Sequence, residues 1–369
     1  MGDLNFGWRT ALLSVAIAQL LILAAALTRP IANRAANRTL SALLIVLAGI
    51  VTPWAIGFAG FYDKWRWLTF VPLANTLAVG PLLWLYILAL VEGCWPKAGW
   101  RHLIPPTLQF TFLTISFLLP LPAKLRWSDL AMTPFNIVAG IGTVIGLAVY
   151  GGAGLRLLRR YRVGLASQRS DDARFASRWL SRAIGVTLLL LPIWAGYAIW
   201  DAIAPLGYRR LMGLHLAIAA FALYLAIEGW RHASLAFPHV RDLPEPEPEA
   251  APAPSRDWRA LGLAWETEVR AAGWAADPEL DLAGLARHLG TNSNYLSRAL
   301  NQGLGVNFST FVNRIRSEGV AALLRGGDRR DVLDIAFEAG FASKASFNRA
   351  FHAAFGQSPS AYRRVSDHE

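Results

Sequence analysis

The sequence predicts an all-α protein in two parts, a seven-helix transmembrane bundle followed by a soluble domain with two helix-turn-helix units. Seven windows of 17 to 26 residues contain no Asp, Glu, Lys or Arg, and a helix needs about 20 apolar residues to cross a bilayer. From residue 257 onward, apolar and charged residues instead alternate at helical spacing. The mean hydropathy of +0.34 agrees with a chain that contacts lipid over much of its length.

The predicted membrane domain covers residues 1–232, and each charge-free window is one expected span. The windows are 10–28, 39–62, 67–91, 103–123, 130–155, 183–200 and 211–227. A cleaved signal peptide is the alternative for the first window, but its N-terminal region is weakly basic because Asp3 opposes Arg9. Cleavage would also leave six spans and put the C-terminal domain outside. We therefore expect the first window to be retained.

Basic residues on the connections predict the orientation of the bundle. The connections after the first, third and fifth windows hold 13 Lys and Arg, whereas the N-terminal tail and the alternate connections hold seven. Cytoplasmic loops retain the excess of Lys and Arg. We expect a protein of the bacterial inner (cytoplasmic) membrane, with its N-terminus outside and its C-terminal domain in the cytoplasm.

A Pro-rich acidic linker is predicted at residues 233–256. It contains the run PEPEPEAAPAP, which offers little apolar surface for packing and behaves as an extended spacer. A spacer of this kind does not transmit rotation as a rigid rod. We therefore expect the bundle to act on residues 257–369 mainly by proximity, by pairing two domains or by confining one to the membrane surface.

Two helix-turn-helix units are predicted within residues 257–369. The first, at about 282–302, has an apolar helix that ends at Gly290 and a second helix with a polar outer face. The second, at about 332–355, repeats the pattern around Gly340. A long apolar-patterned helix lies between them. The second helix of such a unit can enter the major groove, and two of them about 34 Å apart would match one turn of DNA.

A set of residues in this region carries a family resemblance. They are Tyr295-Leu-Ser-Arg298, Gly305 with Phe308, Arg316, Ile335-Ala336, Gly340-Phe341, Phe347-Asn-Arg-Ala-Phe351 and Phe355-Gly-Gln-Ser-Pro359 to Tyr362-Arg363. From about residue 278 to 364 the chain resembles the DNA-binding domain of AraC/XylS-family transcription regulators. The resemblance implies specific binding of double-stranded DNA, and we also expect RNA polymerase as a partner.

Base contacts are implied on the outer faces of the two recognition helices. The candidates are Asn294, Ser297, Arg298 and Asn301 in the first unit, and Ser343, Lys344, Ser346, Asn348 and Arg349 in the second. Eleven basic and six acidic residues between positions 280 and 365 give this region a net charge of +5. That excess is enough for several phosphate contacts, which supply most non-specific affinity.

The predicted outer connections are short, so the helices themselves must read any signal. Polar residues inside a membrane often mark binding or relay sites. Asn136 and His215 lie well inside apolar windows, and we predict that they sense a small or lipid-soluble signal; hydrogen bonding between helices is the alternative. Gly142 and Gly146 have the spacing for close helix contact, either within the bundle or between two copies in a homodimer.

Enzymatic and carrier functions are not indicated. No window contains Lys, which excludes a retinal Schiff base, and none contains Asp or Glu, which argues against an ion-coupled carrier. The single Cys94 excludes an intrachain disulfide and a cysteine metal site, and no cofactor is expected. We predict a membrane-embedded transcription regulator, controlled by a signal that the bundle senses. The alternative is a membrane receptor or transport-like protein whose helix-turn-helix domain docks a cytoplasmic protein.

Overall fold

The computed structural model describes residues 4–171, 175, 178–203, 208–239 and 257–366. These residues form helices and turns, with no strand among them beyond one isolated bridge pair. The predicted all-α class is therefore confirmed for this part of the chain. The linker predicted at 233–256 lies outside the described residues from position 240 onward.

The chain divides into two compact units. The first contains Met1–Leu158 and Arg178–His239, and the second contains Arg159–Ser177 and Val240–Glu369. A short segment from the middle of the chain thus belongs to the same compact unit as the C-terminal region. The sequence did not predict this assignment.

The first unit is built from apolar helices. In chain order they are α1 (Trp8–Ala26), α2 (Arg34–Phe58), α3 (Phe61–Lys64), α4 (Val79–Glu92), α5 (Ile104–Leu118), α6 (Leu121–Gln168), α7 (Arg178–Ile203) and α8 (Tyr208–His232). The end of α6, from Arg159, belongs to the second compact unit. Helices α1, α2 and α8 pack against one another, and α2 also packs against α4. Leu13, Val51 and Met212 meet in the core between α1, α2 and α8. Burial of these apolar side chains holds the three helices together.

Four described helices are long and apolar enough to cross a membrane, judged by length and composition. They are Trp8–Ala26, Arg34–Phe58, Leu121–Gln168 and Met212–His232. They correspond to the first, second, fifth and seventh predicted windows. The sixth window falls within α7, which has 26 residues. The described residues therefore support four of the seven predicted spans by this criterion.

The predicted spans at 67–91 and 103–123 are interrupted, which corrects both predictions. In the third window, turns around Phe70 and Pro72 precede α4, which has only 14 residues. Phe70 has a φ of 67°, in the left-handed region. In the fourth window, Pro120 separates α5 from α6. Proline lacks the N–H that a helix needs and disfavours helical backbone in the residue before it.

Helix α6 is longer than the window that predicted it. The sequence predicted a span at 130–155, but α6 runs unbroken for 48 residues. The connection predicted at 124–129 is therefore helical, and the Lys124 side chain is buried rather than exposed. Its Nζ donates a hydrogen bond to the backbone oxygen of Trp67 at 2.9 Å. A charge-free window marks the apolar part of a helix and not its ends, because Lys, Arg and Glu continue a helix well.

Glycines allow α4 and α6 to approach closely. A Cβ atom at Gly80 would lie 3.1 Å from the backbone of Gly146, and a Cβ at Gly142 would lie 2.9 Å from the Leu77 side chain. Of the predicted small-residue pair, Gly142 therefore leaves room for packing within one chain, whereas a Cβ at Gly146 would meet no described atom within 4 Å.

The second compact unit contains both helix-turn-helix units. Its helices are α9 (Trp258–Ala272), α10 (Leu282–His288), α11 (Ser293–Arg298), α12 (Phe308–Arg325), α13 (Val332–Glu338), α14 (Lys344–Phe355) and α15 (Pro359–Ser366). A π-helical turn, Ala299–Gly303, continues α11. Helices α10 and α11 form the first helix-turn-helix unit, α13 and α14 form the second, and α12 connects them.

Each helix-turn-helix unit has its own apolar core. The first core gathers Leu285 and Leu296 around Phe311 at the start of α12. The second gathers Ile335, Phe347 and Phe351 against the end of α12, and α13 and α14 both pack on that helix. Helix α12 therefore contributes to both cores and connects the two helix-turn-helix units.

Candidate nucleic-acid interface

Both helix-turn-helix units use the same turn. Gly290 and Gly340 follow the first helix of each unit with positive φ angles of 61° and 96°. In both turns the glycine N–H donates to the carbonyl three residues earlier, and the next N–H donates to the carbonyl five residues earlier, at 2.9 to 3.1 Å. This is the hydrogen-bond pattern of a Schellman ending, which places a left-handed residue at the glycine. The repeated glycine in the sequence therefore reflects one repeated turn.

Side chains cap the recognition helices α11 and α14. Asn292 Oδ1 accepts from the backbone N–H of Tyr295 at 2.9 Å, and Ser343 Oγ accepts from that of Ser346 at 3.2 Å. Ser346 Oγ in turn donates to the Ser343 carbonyl at 2.8 Å. Two of the predicted base contacts thus stabilise the start of α14. Their contact with DNA stays a prediction.

The polar candidates of the first unit lie together on one face. Asn294, Ser297 and Arg298 are half-buried and Asn301 is exposed. Their spacing of three and four residues puts them on one helix face, and Asn301 Nδ2 donates to Ser297 Oγ at 3.1 Å. Leu296 and Leu300 are buried on the opposite face. The sequence predicted the same polar outer face and the same apolar inner face for this helix.

The second unit presents more exposed charge. Lys344, Asn348 and Arg349 are exposed on α14, whereas Phe347 and Phe351 are buried in the core. Arg349 Nε donates to the carbonyl four residues earlier at 3.2 Å, so its side-chain stem follows the helix. The geometry leaves an exposed polar face along α14, with one cation at the first residue of the helix and another in its middle.

Internal partners engage several of the eleven cations. Arg330 pairs with Asp328 at 2.8 Å and with Glu338 at 2.7 Å, and its hydrogen bonds lower the pKa of Asp328. Arg314 pairs with Glu266 at 2.8 Å. The cations of this region on the exposed or half-buried surface and outside these two ion pairs include Arg287, Arg298, Arg325, Arg329, Lys344, Arg349 and Arg364.

Arg316 has a structural role that the sequence did not reveal. It is buried, and its guanidinium donates to the carbonyls of Ala275 and Asp277 at 2.6 Å each. The same guanidinium lies 5.8 Å from the ring centroid of Phe341, in the turn of the second unit. Burial lowers the pKa of Arg316 to about 10, and the charges of Asp171 and Asp277 oppose that shift. Arg316 therefore links the approach to the first unit with the turn of the second.

A cavity of about 470 Å³ lies among the apolar helices of the first compact unit, far in sequence from the helix-turn-helix units. Among its lining residues are Trp54, Tyr62, Phe70, Met132, Phe135 and Asn136. His215 is buried and stacks on Trp54, with ring centroids 3.8 Å apart and planes inclined by 28°. Asn136, which is exposed, lines this cavity, and His215 contacts its wall through Trp54. In the described part of the chain, no group of three or more His, Cys, Asp and Glu is placed to hold a metal ion.

Comparison with known proteins identifies relatives of the C-terminal region. Residues 285–365 match a family model described as a helix-turn-helix domain. An uncharacterised HTH-type transcriptional regulator of Staphylococcus aureus is 36% identical over 85 residues, which are 23% of this chain and 11% of that protein. The melibiose operon regulatory protein of Escherichia coli is 32% identical over 90 residues, 24% of this chain and 30% of that protein. No solved structure matches the chain at a significant level.

The chain covers less than a third of the length of either relative. The matched residues 285–365 include both glycine turns, helix α12 and the recognition helix α14. The C-terminal region of this chain therefore carries a helix-turn-helix domain similar to those of the two transcription regulators.

Proposed function

We propose that this chain is a membrane-embedded transcription regulator. Its helical bundle lies in the cytoplasmic membrane of a bacterium with the N-terminus outside, and its C-terminal domain binds specific double-stranded DNA in the cytoplasm, where RNA polymerase is a further partner. The observation that carries the proposal is the pair of matched helix-turn-helix units in a chain that also has four long apolar helices.

The chemistry of the recognition helices supports DNA as the ligand. Neither α11 with its π-helical turn nor α14 contains an acidic residue, so neither surface repels phosphate. Arginine can bond guanine with two hydrogen bonds, and asparagine can do the same with adenine. Arg349 and Asn348 on α14 offer both side chains on an exposed face. Helix α12, with 18 residues, extends about 27 Å, and the offsets of the two units would have to add the remainder of the roughly 34 Å between successive major grooves.

The cavity among the apolar helices of the first compact unit supports the proposal that the signal is a small uncharged molecule. Its lining is aromatic and aliphatic with few polar groups, among them the Asn136 amide, and no charged side chain is among the described residues that line it. Such a lining favours an apolar, ring-containing molecule with one hydrogen-bonding group. Phe70 lines the cavity in a left-handed conformation, and strained backbone of this kind concentrates at ligand sites and switches. We infer that binding is reported through Trp54 and the stacked His215.

Selection of DNA by the full chain tests the proposed function. The protein in lipid nanodiscs is mixed with random duplex DNA, and the retained fragments are sequenced. We expect a sequence with two half-sites spaced by about 10 base pairs. Retention of random sequences without enrichment would contradict specific DNA recognition and favour docking of a cytoplasmic protein.

A ligand screen tests the cavity. Uncharged aromatic alcohols from phenol to 2-naphthol should raise the unfolding temperature of the full chain, because a ligand that binds the native state stabilises it. Asn136→Ala should weaken this shift, whereas Thr133→Ala, at an exposed position nearby on α6, should leave it unchanged. Equal shifts in the two variants would exclude Asn136 from the site.

Cysteine labelling tests the orientation. In a Cys94→Ser background, Asp129→Cys should react with an impermeant maleimide added to intact cells, and Ser234→Cys should react only after the cells are opened. Both side chains are exposed. Reaction of Ser234→Cys in intact cells would contradict a cytoplasmic C-terminal domain.

A further inference from the structure

Residues 169–171, which we call the docking segment, contact the first helix-turn-helix unit although they precede it by more than 100 residues. Arg169 and Asp281 form an isolated antiparallel bridge. Ser170 donates to the carbonyl of Leu280 through its backbone N–H at 3.4 Å and through Oγ at 2.9 Å. Asp281 caps α10, the first helix of the unit. The docking segment is therefore joined to the start of the first unit.

The docking segment is buried and its polar groups are paired. Ser170 is 1% exposed and Asp171 is 5% exposed. The Ser170 carbonyl accepts from Asn313 Nδ2 at 3.0 Å, and Asp171 accepts two hydrogen bonds from Arg169, at 2.7 and 3.2 Å. Buried polar groups are costly unless they are paired. These bonds fix one register of the segment, which a contact through apolar side chains alone would not do.

Ser170 also bonds the arginine that links the two units. Arg316 Nη2 donates to Ser170 Oγ at 3.1 Å as well as to the carbonyl of Asp277, and the guanidinium faces the ring of Phe341. A change at Ser170 therefore acts directly on a residue that contacts the turn of the second unit. Among the described residues, the hydrogen-bond and bridge partners of the docking segment outside the segment itself include Leu280, Asp281, Asn313 and Arg316, which are different residues from the nine predicted DNA contacts.

The docking segment follows directly on helix α6. This unbroken helix also carries Asn136, which lines the cavity of the first compact unit. The predicted signal site and the docking segment are thus connected through one helix. The Pro-rich linker provides a second, separate connection to the C-terminal domain.

We propose that the docking segment is the contact through which the bundle controls the C-terminal domain, by setting how the two helix-turn-helix units are held relative to each other. This inference rests on the proposed function and adds a direct route to control by proximity. A signal that moves α6 shifts Ser170, and Arg316 passes that shift to the second unit. Among the described residues, the docking segment bonds the start of the first helix-turn-helix unit and α12 rather than either recognition helix, so control acts on half-site spacing rather than on access to DNA.

Disulfide capture tests the docking contact without reference to DNA. Residues paired in an antiparallel bridge have Cα atoms about 4.5–5.5 Å apart, within the range for a disulfide. In a Cys94→Ser background, Arg169→Cys with Asp281→Cys should form an intramolecular disulfide in isolated membranes treated with a mild oxidant. Arg169→Cys with Lys344→Cys is the control and should not. Absence of a disulfide in the first pair, in a chain that still folds and binds DNA, would overturn the proposal.

A spacing assay tests the consequence. The full chain in nanodiscs is offered its selected DNA site and a site lengthened by one base pair between the half-sites. We expect the natural chain to prefer the first by about tenfold and Ser170→Ala to lose most of that preference. Ser167→Ala is the matched control, because Ser167 Oγ bonds a carbonyl of its own helix, Val163, at 3.0 Å.

The outcomes separate the two proposals. Equal spacing preference in Ser170→Ala, Ser167→Ala and the natural chain would overturn control through the docking segment. Disulfide capture in a chain that retains no specific DNA would leave the docking contact standing and overturn the proposed function.

Discussion

The two helix-turn-helix units share one turn but differ in their recognition helices. In the first unit, α11 has six residues and continues into a π-helical turn, and Asn294, Ser297 and Arg298 are half-buried. In the second, α14 is a regular helix of 12 residues with Lys344 and Arg349 exposed. The local sequence determines the turn, whereas the exposure of the recognition residues differs between the two helix-turn-helix units.

Different elements also pack against the two helix-turn-helix units. Helix α9 covers part of the first unit: Gly303 leaves room for the backbone of Trp258, whose ring lies 5.7 Å from that of Tyr295. The docking segment also contacts the first unit. In the second unit, Phe351 packs between Phe355 and Tyr362 with ring centroids 4.7 and 5.4 Å away. We infer that the first unit receives control and that the second supplies most of the base-specific contact.

Substitution of the two matched glycines should show the largest difference. Gly290→Ala places a side chain in a left-handed residue with open space around it and should cost about 1–2 kcal/mol of stability. At Gly340 the new Cβ would also lie 2.6 Å from the carbonyl oxygen of Ala276. Gly340→Ala should therefore cost about 2–5 kcal/mol, because overpacking is added to strain. Denaturant unfolding of the full chain measures both, and equal losses would contradict the close approach at Gly340.

Removal of one arginine from each recognition helix compares their reading roles. Arg349→Ala should cost about 1–3 kcal/mol at the selected site and relax the preference at one base position. Arg298→Ala should cost less, because its side chain is half-buried. Affinities for the site and its single-base variants provide the measurement. Arg329→Ala, in the loop between the units, is the control and should weaken all sequences alike. A larger loss of specificity for Arg298→Ala would reverse the assignment of the two units.

Substitution of the helix-capping residues should lower the stability of the domain without changing its base preference. Ser343→Ala and Asn292→Ala should each cost about 1 kcal/mol, because each removes the acceptor at the start of a recognition helix. Ser343→Gly should cost only a few tenths of a kcal/mol. If the base preference of Ser343→Ala changes while its unfolding free energy does not, Ser343 contacts DNA rather than capping α14.

The smallest effect should come from the exposed ion pairs of the second unit. Arg330 lowers the pKa of Asp328, so this interaction stabilises the fold above the ordinary Asp pKa and is lost as the pH falls through the lower folded-state value. Asp328→Asn should lower the unfolding temperature slightly at neutral pH. The difference should vanish in strong acid and shrink in high salt. A difference that persists in strong acid would assign the effect to packing.

The helix-turn-helix units were predictable because their signals are local. A glycine fixes the left-handed turn, and leucines at helical spacing fix the buried face, so the polar face of α11 followed from a few adjacent residues. The ends of α6 and the break before α4 were not predictable from charge-free windows. Charged residues such as Lys124 extend a helix as well as apolar ones do, and the turn at Phe70 depends on its neighbours in space.

The contacts between distant segments were also beyond the sequence. Arg316 occupies the position four residues after Val312, on the buried face of α12, and a charged residue there was the one available indication of a buried polar contact. Nothing in the order of residues pairs Ser170 with Leu280, because that pairing joins segments 110 positions apart. The Pro-rich linker suggested a freely tethered domain, and the docking segment adds a connection that the linker does not contain.

Binding of DNA to membrane vesicles tests the central claim most directly. Inside-out and right-side-out vesicles that contain the full chain are mixed with the selected duplex and with a scrambled duplex of equal length. We expect inside-out vesicles to retain the selected duplex and to release it as salt rises, and right-side-out vesicles to retain neither duplex. Retention by right-side-out vesicles, or equal retention of both duplexes by inside-out vesicles, would contradict a membrane-embedded regulator with a cytoplasmic DNA-binding domain.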